Sequence, residues 1–111
     1  MTGPAKRKGD RAEREAAAIL ADQLGYKVTR LLGAGRAEDV GDLYGLDGCV
    51  IQVAHWDDVA RAAREKPLGA EAQRINAGVP FAAAMVRFPR GSWRVVMTPE
   101  QFCNLYREAM A

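Results

Sequence analysis

The chain has 111 residues, of which 49% are hydrophobic and 27% charged, and its formal net charge is +2. This length allows one domain, and the composition excludes intrinsic disorder. No apolar run approaches the roughly 20 residues that span a bilayer, and two cysteines are too few for a disulfide scaffold, so a cytoplasmic protein without membrane association is expected.

The chain is predicted to begin with a basic arm followed by a helix. Residues 1–8 combine glycine and proline with three basic side chains, which favours a flexible arm ahead of a single domain at residues 9–111. Asp10 and Glu13 have the spacing of a capping box. Apolar residues then recur at helical spacing until Gly25, which is typical of a helix end.

Three strands are predicted next. The first lies at residues 26–30, and the glycines of residues 31–41 indicate a loop. Two further strands, at residues 42–46 and 49–55, flank Asp47-Gly48, which is a typical hairpin turn. Because the second of these two strands is apolar on both faces, it is expected to be central in its sheet.

The remaining elements alternate between helices and strands. The helical segments are expected at residues 57–65, ended by Pro67, and at residues 70–77. A hairpin and a capped final helix follow, at residues 81–88, 93–97 and from Thr98 onward. The order α-β-β-β-α-α-β-β-α predicts an α/β domain with a mixed sheet flanked by helices.

One polar pair stands out within the predicted hairpin. Gln52 interrupts an apolar strand, and a buried amide without partners costs roughly 1–3 kcal/mol. Asp42 begins the neighbouring strand, so both side chains are expected at the same end of the hairpin. Such oxygen donors can bind a hard divalent cation. Equally, Asp42 can cap the glycine-rich loop while Gln52 bonds to nearby backbone, and the pattern alone favours this second interpretation.

Several short motifs occur in an order that is informative as a whole: Lys8-Gly9-Asp10-Arg11-Ala12-Glu13-Arg14-Glu15, Gly25-Tyr26-Lys27-Val28, Gly41-Asp42-Leu43-Tyr44-Gly45 and Val50-Ile51-Gln52-Val53. In this order the chain resembles the Holliday junction resolvase-like branch of the PD-(D/E)xK nuclease superfamily, especially the small forms encoded by phages of actinobacteria. The resemblance implies a restriction-endonuclease-like core.

The resemblance also implies a function in DNA recombination. It assigns Glu13, Asp42 and Gln52 as catalytic and metal-binding residues of an endonuclease that uses Mg²⁺ or Mn²⁺ on four-way junctions or duplex DNA. It implies a homodimer in the cytoplasm of the host cell. Basic residues are expected to contact the DNA phosphates; they are Lys6, Arg7, Lys8, Arg11, Arg30 and Arg36.

The chain departs from the family pattern on the strand that carries the acid-x-lysine motif. Gln52 replaces the acid and Ala54 replaces the lysine, while strand alternation turns His55 to the opposite face. A cation from another element, namely Lys27, Arg30, Arg36 or Lys66, can replace the missing charge. Two hypotheses therefore stand: an active metal-dependent endonuclease, or an inactive descendant that binds DNA or a protein partner without cleavage.

Overall fold

The fold is described here from a computed structural model, which describes residues 3–31 and 41–111. Arg36 and the rest of residues 32–40 lie outside the described residues. The helices are α1 (Pro4–Leu24), α2 (Val59–Ala77) and α3 (Pro99–Ala109). The strands are β1 (Thr29–Arg30), β2 (Leu43–Tyr44), β3 (Cys49–Ala54), β4 (Phe81–Phe88) and β5 (Ser92–Val96), with a short 3-10 turn between β4 and β5.

Helix α1 begins earlier than its sequence pattern indicates. Pro4 occupies the first helical turn and Gly3 is the N-cap. Proline is favoured there because its fixed φ suits a helix and its missing N–H is not needed. The predicted flexible arm is therefore wrong for residues 4–8. Asp10 lies inside the helix, where it pairs with Lys6 at 3.2 Å, so the predicted capping box with Glu13 is also wrong.

Helix α2 unites two segments that were predicted as separate helices. Pro67 lies inside it, although an interior proline removes a helical hydrogen bond at a cost of about 3 kcal/mol. The cost is offset by packing, because Pro67 is buried between the fully buried residues Ala62 and Ala70. Its carbonyl oxygen also accepts a hydrogen bond from the Gln101 side chain of α3 at 2.8 Å.

The strands form a mixed arrangement, as the predicted fold class requires. β3 pairs in parallel with β4 through the α2 crossover, and β4 pairs with β5 in antiparallel fashion. β2 pairs with β1, so the predicted hairpin ladder between β2 and β3 is wrong. The turn at Asp47-Gly48 itself forms, closed by a hydrogen bond from the Cys49 N–H to the Leu46 carbonyl at 3.1 Å. In the described ladder β4 is central, not β3. The apolar character of β3 has another cause: its pairing with β4 is parallel, and helices cover both faces of such a sheet, so β3 is buried although it ends the ladder.

Helices cover both faces of the three-stranded sheet, so the chain is an α/β domain. On the α1 side, Ile51, Val53 and Met85 pack against the small residues Ala12 and Ala16 of that helix. The α2 side holds mostly alanine and valine. Within residues 3–31 and 41–111, none of the three helices has the length and apolar character needed to cross a bilayer.

Candidate functional site

Asp42 is held by backbone and side-chain hydrogen bonds against the edge of β3 that faces away from β4. Its N–H donates to the Ile51 carbonyl at 3.0 Å, and its carboxylate Oδ2 accepts from the Val53 N–H at 2.8 Å. Gly41 precedes it with φ of 106°, and a Cβ there would lie 2.9 Å from Val50 Cγ1. Glycine therefore permits the close approach that fixes the Asp42 carboxylate beside β3.

The carboxylates of Glu13 in α1 and Asp42 are close enough to repel each other. Burial raises the pKa of Glu13, and the negative charge of Asp42 raises it further, while a hydrogen bond from Arg30 opposes both effects. Arg30 Nε donates to Glu13 Oε1 at 3.2 Å, and Arg30 Nη2 donates to Asp10 Oδ1 at 2.8 Å. Arg30 thus holds two carboxylates of α1, one of which faces Asp42.

The Gln52 side chain accepts a hydrogen bond from Lys66 of α2, which brings a cation to the face of β3 that also carries Ala54. The Gln52 side chain is 7% exposed, and its Oε1 accepts from Lys66 Nζ at 3.0 Å. The Lys66 ammonium also lies 5.2 Å from the centre of the Trp56 ring, within reach of a cation–π interaction. Of the four cations considered from the sequence, Lys66 is the one bonded to Gln52 in the described part of the chain.

A cavity of about 500 Å³ joins these groups. Its wall includes Glu13 from α1, Asp42 from the segment before β2, and Lys66 from α2. Val53 of β3 and His55, which directly follows β3, also line the cavity. Gln52 projects toward α2 instead, and its contact with the cavity is through Lys66. Asp42 and Gln52 therefore do not lie side by side. They approach one cavity from the α1 and α2 sides of β3.

Two carboxylates of the cavity, those of Glu13 and Asp42, carry the oxygen donors that Mg²⁺ prefers. Among residues 3–31 and 41–111, no cluster of three or more His, Cys, Asp or Glu could hold a metal. Mg²⁺ in nucleotide-processing sites is, however, commonly bound by one or two carboxylates together with substrate phosphates. Burial, and after it the negative charge of Asp42, raises the pKa of Glu13, and a cation near both groups would oppose these effects.

The predicted DNA-contacting residues of the N-terminal segment become part of a helix. Arg7, Arg11 and Arg14 are exposed at spacings of four and three, which places them on one face of α1. Lys6 pairs with Asp10, and Lys8 Nζ donates to Asp57 at 2.8 Å at the cavity.

Two further residues lie at or next to this site. Trp56 packs against the core residues Ala54 and Ala62, and it also lines the cavity beneath Lys66 and Arg61. Arg87 of β4 contacts His55 and was not considered at all. The available signal was indirect: Trp56 and His55 directly follow a buried strand, at the position where parallel strands of α/β sheets place ligand sites.

Comparisons with known proteins add no relative: no family model matches the chain, and neither a curated protein nor a solved structure is significantly similar to it.

Proposed function

We propose that this protein is a DNA-processing protein of the resolvase-like nuclease type, a metal-dependent endonuclease acting on branched or duplex DNA in the cytoplasm. The observation that carries the proposal is the Lys66–Gln52 contact at 3.0 Å, beside a cavity that also includes Asp42 and Glu13. A cation from α2 thereby stands next to the strand position where Ala54 has replaced the usual lysine.

Each residue has a distinct part in the proposed reaction. Asp42 and Glu13 would hold Mg²⁺ or Mn²⁺, which when bound supplies an activated water and neutralises phosphoryl charge. Lys66 donates to the phosphoryl oxygens, where negative charge develops in the transition state. Gln52 orients the Lys66 ammonium through its Oε1. Arg30 orients Glu13 and limits the repulsion between the two carboxylates.

The DNA backbone would contact the exposed basic face of α1 that Arg7, Arg11 and Arg14 form. This face points away from the side of the helix that carries the cavity residues Ala5, Gly9 and Glu13, whereas Lys8 lines the cavity itself. Each phosphate contact from such a face adds salt-dependent affinity without base specificity. This predicts binding selected by DNA shape more than by sequence.

A homodimer is proposed through helix α3. Its apolar stripe is only partly covered: Phe102, Leu105 and Tyr106 are 44–55% exposed, and the first and last of them stack at 5.8 Å. Val95 on the neighbouring strand β5 is exposed as well. A two-fold axis would bury these faces on each other. We expect the Phe102→Glu variant to elute as a monomer and the wild type as a dimer in light-scattering chromatography.

The activity is tested with a labelled four-way junction and the matching linear duplex, each incubated with Mg²⁺ or Mn²⁺. The wild type is expected to cut at least one of these substrates, and Asp42→Asn to lose the activity. Asp22→Asn is the matched control, since Asp22 is an exposed acid near the opposite end of α1. Cutting that survives Asp42→Asn, or no cutting by the wild type, would reject the enzymatic proposal.

A non-cleaving DNA-binding protein is the second candidate. It is favoured because Gln52 Oε1 already accepts a hydrogen bond from Lys66, and Asp42 Oδ2 already accepts one from the Val53 N–H. It is also favoured because the described residues include no group of three or more His, Cys, Asp or Glu side chains that could hold a metal ion. Retention of junction binding with no cleavage in either metal supports this candidate over the enzyme.

A further inference from the structure

His55 is the one histidine in the chain, and it lies where β3 ends and the cavity begins. Strand alternation places it with Val53 on the α1 side of the sheet, and both residues line the cavity with Asp42. The proposed reaction above does not use it. A titratable ring on the wall of a polar cavity is a candidate for substrate contact.

The contact with Arg87 fixes which ring nitrogen of His55 carries the proton. Arg87 Nη1 lies 3.3 Å from His55 Nε2. A guanidinium group can only donate hydrogen bonds, so Nε2 accepts, and the neutral ring carries its proton on Nδ1. Arg87 Nε in turn donates to Glu15 Oε1 at 3.4 Å, and the same oxygen accepts from Trp93 Nε1 at 2.7 Å. These contacts hold the guanidinium in place.

Burial and the surrounding positive charges favour the neutral form of the His55 ring. Burial lowers the pKa of His55, and the positive charges of Lys8 and Arg87 lower it further. Glu15 and Asp57 act in the opposite direction. The Nδ1–H is therefore a neutral donor beside cationic groups, and an anion entering the cavity would both accept its hydrogen bond and favour protonation of the ring.

We propose that His55 is a substrate-contacting residue, whose Nδ1–H donates to a non-bridging oxygen of a backbone phosphodiester in the cavity. Arg87 is then a positioning residue, because it selects the tautomer that makes this donation possible. The assignment rests on the proposed function, since it takes nucleic acid as the ligand. It adds a contact that the acids and Lys66 do not provide.

Because His55 is the sole histidine, its ring can be observed alone by NMR on protein labelled with ¹⁵N-histidine. The free protein is expected to show the Nδ1–H tautomer, and Arg87→Met to lose that preference. Saturation with a short DNA duplex, without divalent cation so that nothing is cut, is expected to raise the His55 pKa by about one unit or more. His55→Leu is expected to bind that duplex roughly tenfold or more weakly, and His55→Gln, which keeps a donor, less so.

The possible results separate this proposal from the function on which it rests. If the wild type binds the duplex while the His55 pKa and tautomer stay unchanged, the His55 assignment is overturned and DNA processing stands. If the wild type binds neither duplex nor junction, both are overturned. Thermal melting of each variant shows whether the binding loss exceeds any loss of folding.

Discussion

Replacing Lys66 with methionine removes the ammonium and keeps a stem of similar length. Gln52, which is 7% exposed, then loses a charged donor, and such hydrogen bonds contribute about 1.5–3 kcal/mol. The contact with Trp56 at 5.2 Å contributes about 0.5–1 kcal/mol more. A net loss of about 2 kcal/mol corresponds to a fall in melting temperature of roughly 8 °C for a domain of this size. Cleavage should fall about 10²–10³-fold.

Calorimetry and junction cleavage measure these two effects separately. In the double variant Gln52→Leu with Lys66→Met both polar partners are replaced by apolar groups, so most of the stability should return while cleavage does not. Arg64→Met, an exposed position on the same helix, is the matched control and should change neither. Undiminished cleavage by Lys66→Met would refute the role given to this lysine, and an unchanged melting temperature would refute the energy given to its contact.

Three further outcomes follow from the described contacts. Gly41→Ala places a Cβ 2.9 Å from Val50 Cγ1 at φ of 106°, so we expect a loss of about 1–3 kcal/mol in thermal unfolding and a fall in cleavage of about 10²-fold as Asp42 shifts; normal activity would contradict this. Burial raises the pKa of the Cys49 thiol to about 11, so alkylation near pH 8, followed by mass spectrometry, should modify the exposed Cys103 and spare Cys49 until unfolding; equal rates would argue against the burial. The lowered His55 pKa means that the unfolded chain binds more protons below about pH 6.5. Wild-type stability should therefore decrease as the pH falls through that range, and the decrease should be smaller in His55→Gln; parallel pH profiles in denaturant titrations would exclude it.

Periodicity was sufficient to predict the elements whose sequence signals lie within the element itself. The apolar spacing of α1, the buried character of β3, and the capping box of α3 are local signals, and the Thr98–Gln101 pair forms as expected. Alternation also placed His55 opposite Gln52 correctly. These features depend on side chains within one turn or one strand, so they are visible without knowledge of the tertiary fold.

The mispredicted elements depend on distant partners. Nothing near Pro67 in sequence reveals that burial between α2 and the sheet, with a hydrogen bond from Gln101, sustains the helix through it. Likewise, the Asp47-Gly48 turn suggested a paired hairpin, but β2 pairs with β1, and backbone hydrogen bonds from Asp42 to Ile51 and from Cys49 to Leu46 connect the segment to β3 without a regular ladder. Selecting Lys66 among four cations required the crossing of α2 over β3, which no local pattern encodes.

A cation position determined in a crystal tests the site most directly. In crystals of the protein with a DNA duplex and Mn²⁺, anomalous scattering should give one manganese peak within coordination distance of the Asp42 and Glu13 carboxylates. That peak should disappear in Asp42→Asn. Manganese bound elsewhere on the chain, or no peak between these carboxylates at saturating Mn²⁺, would contradict the account.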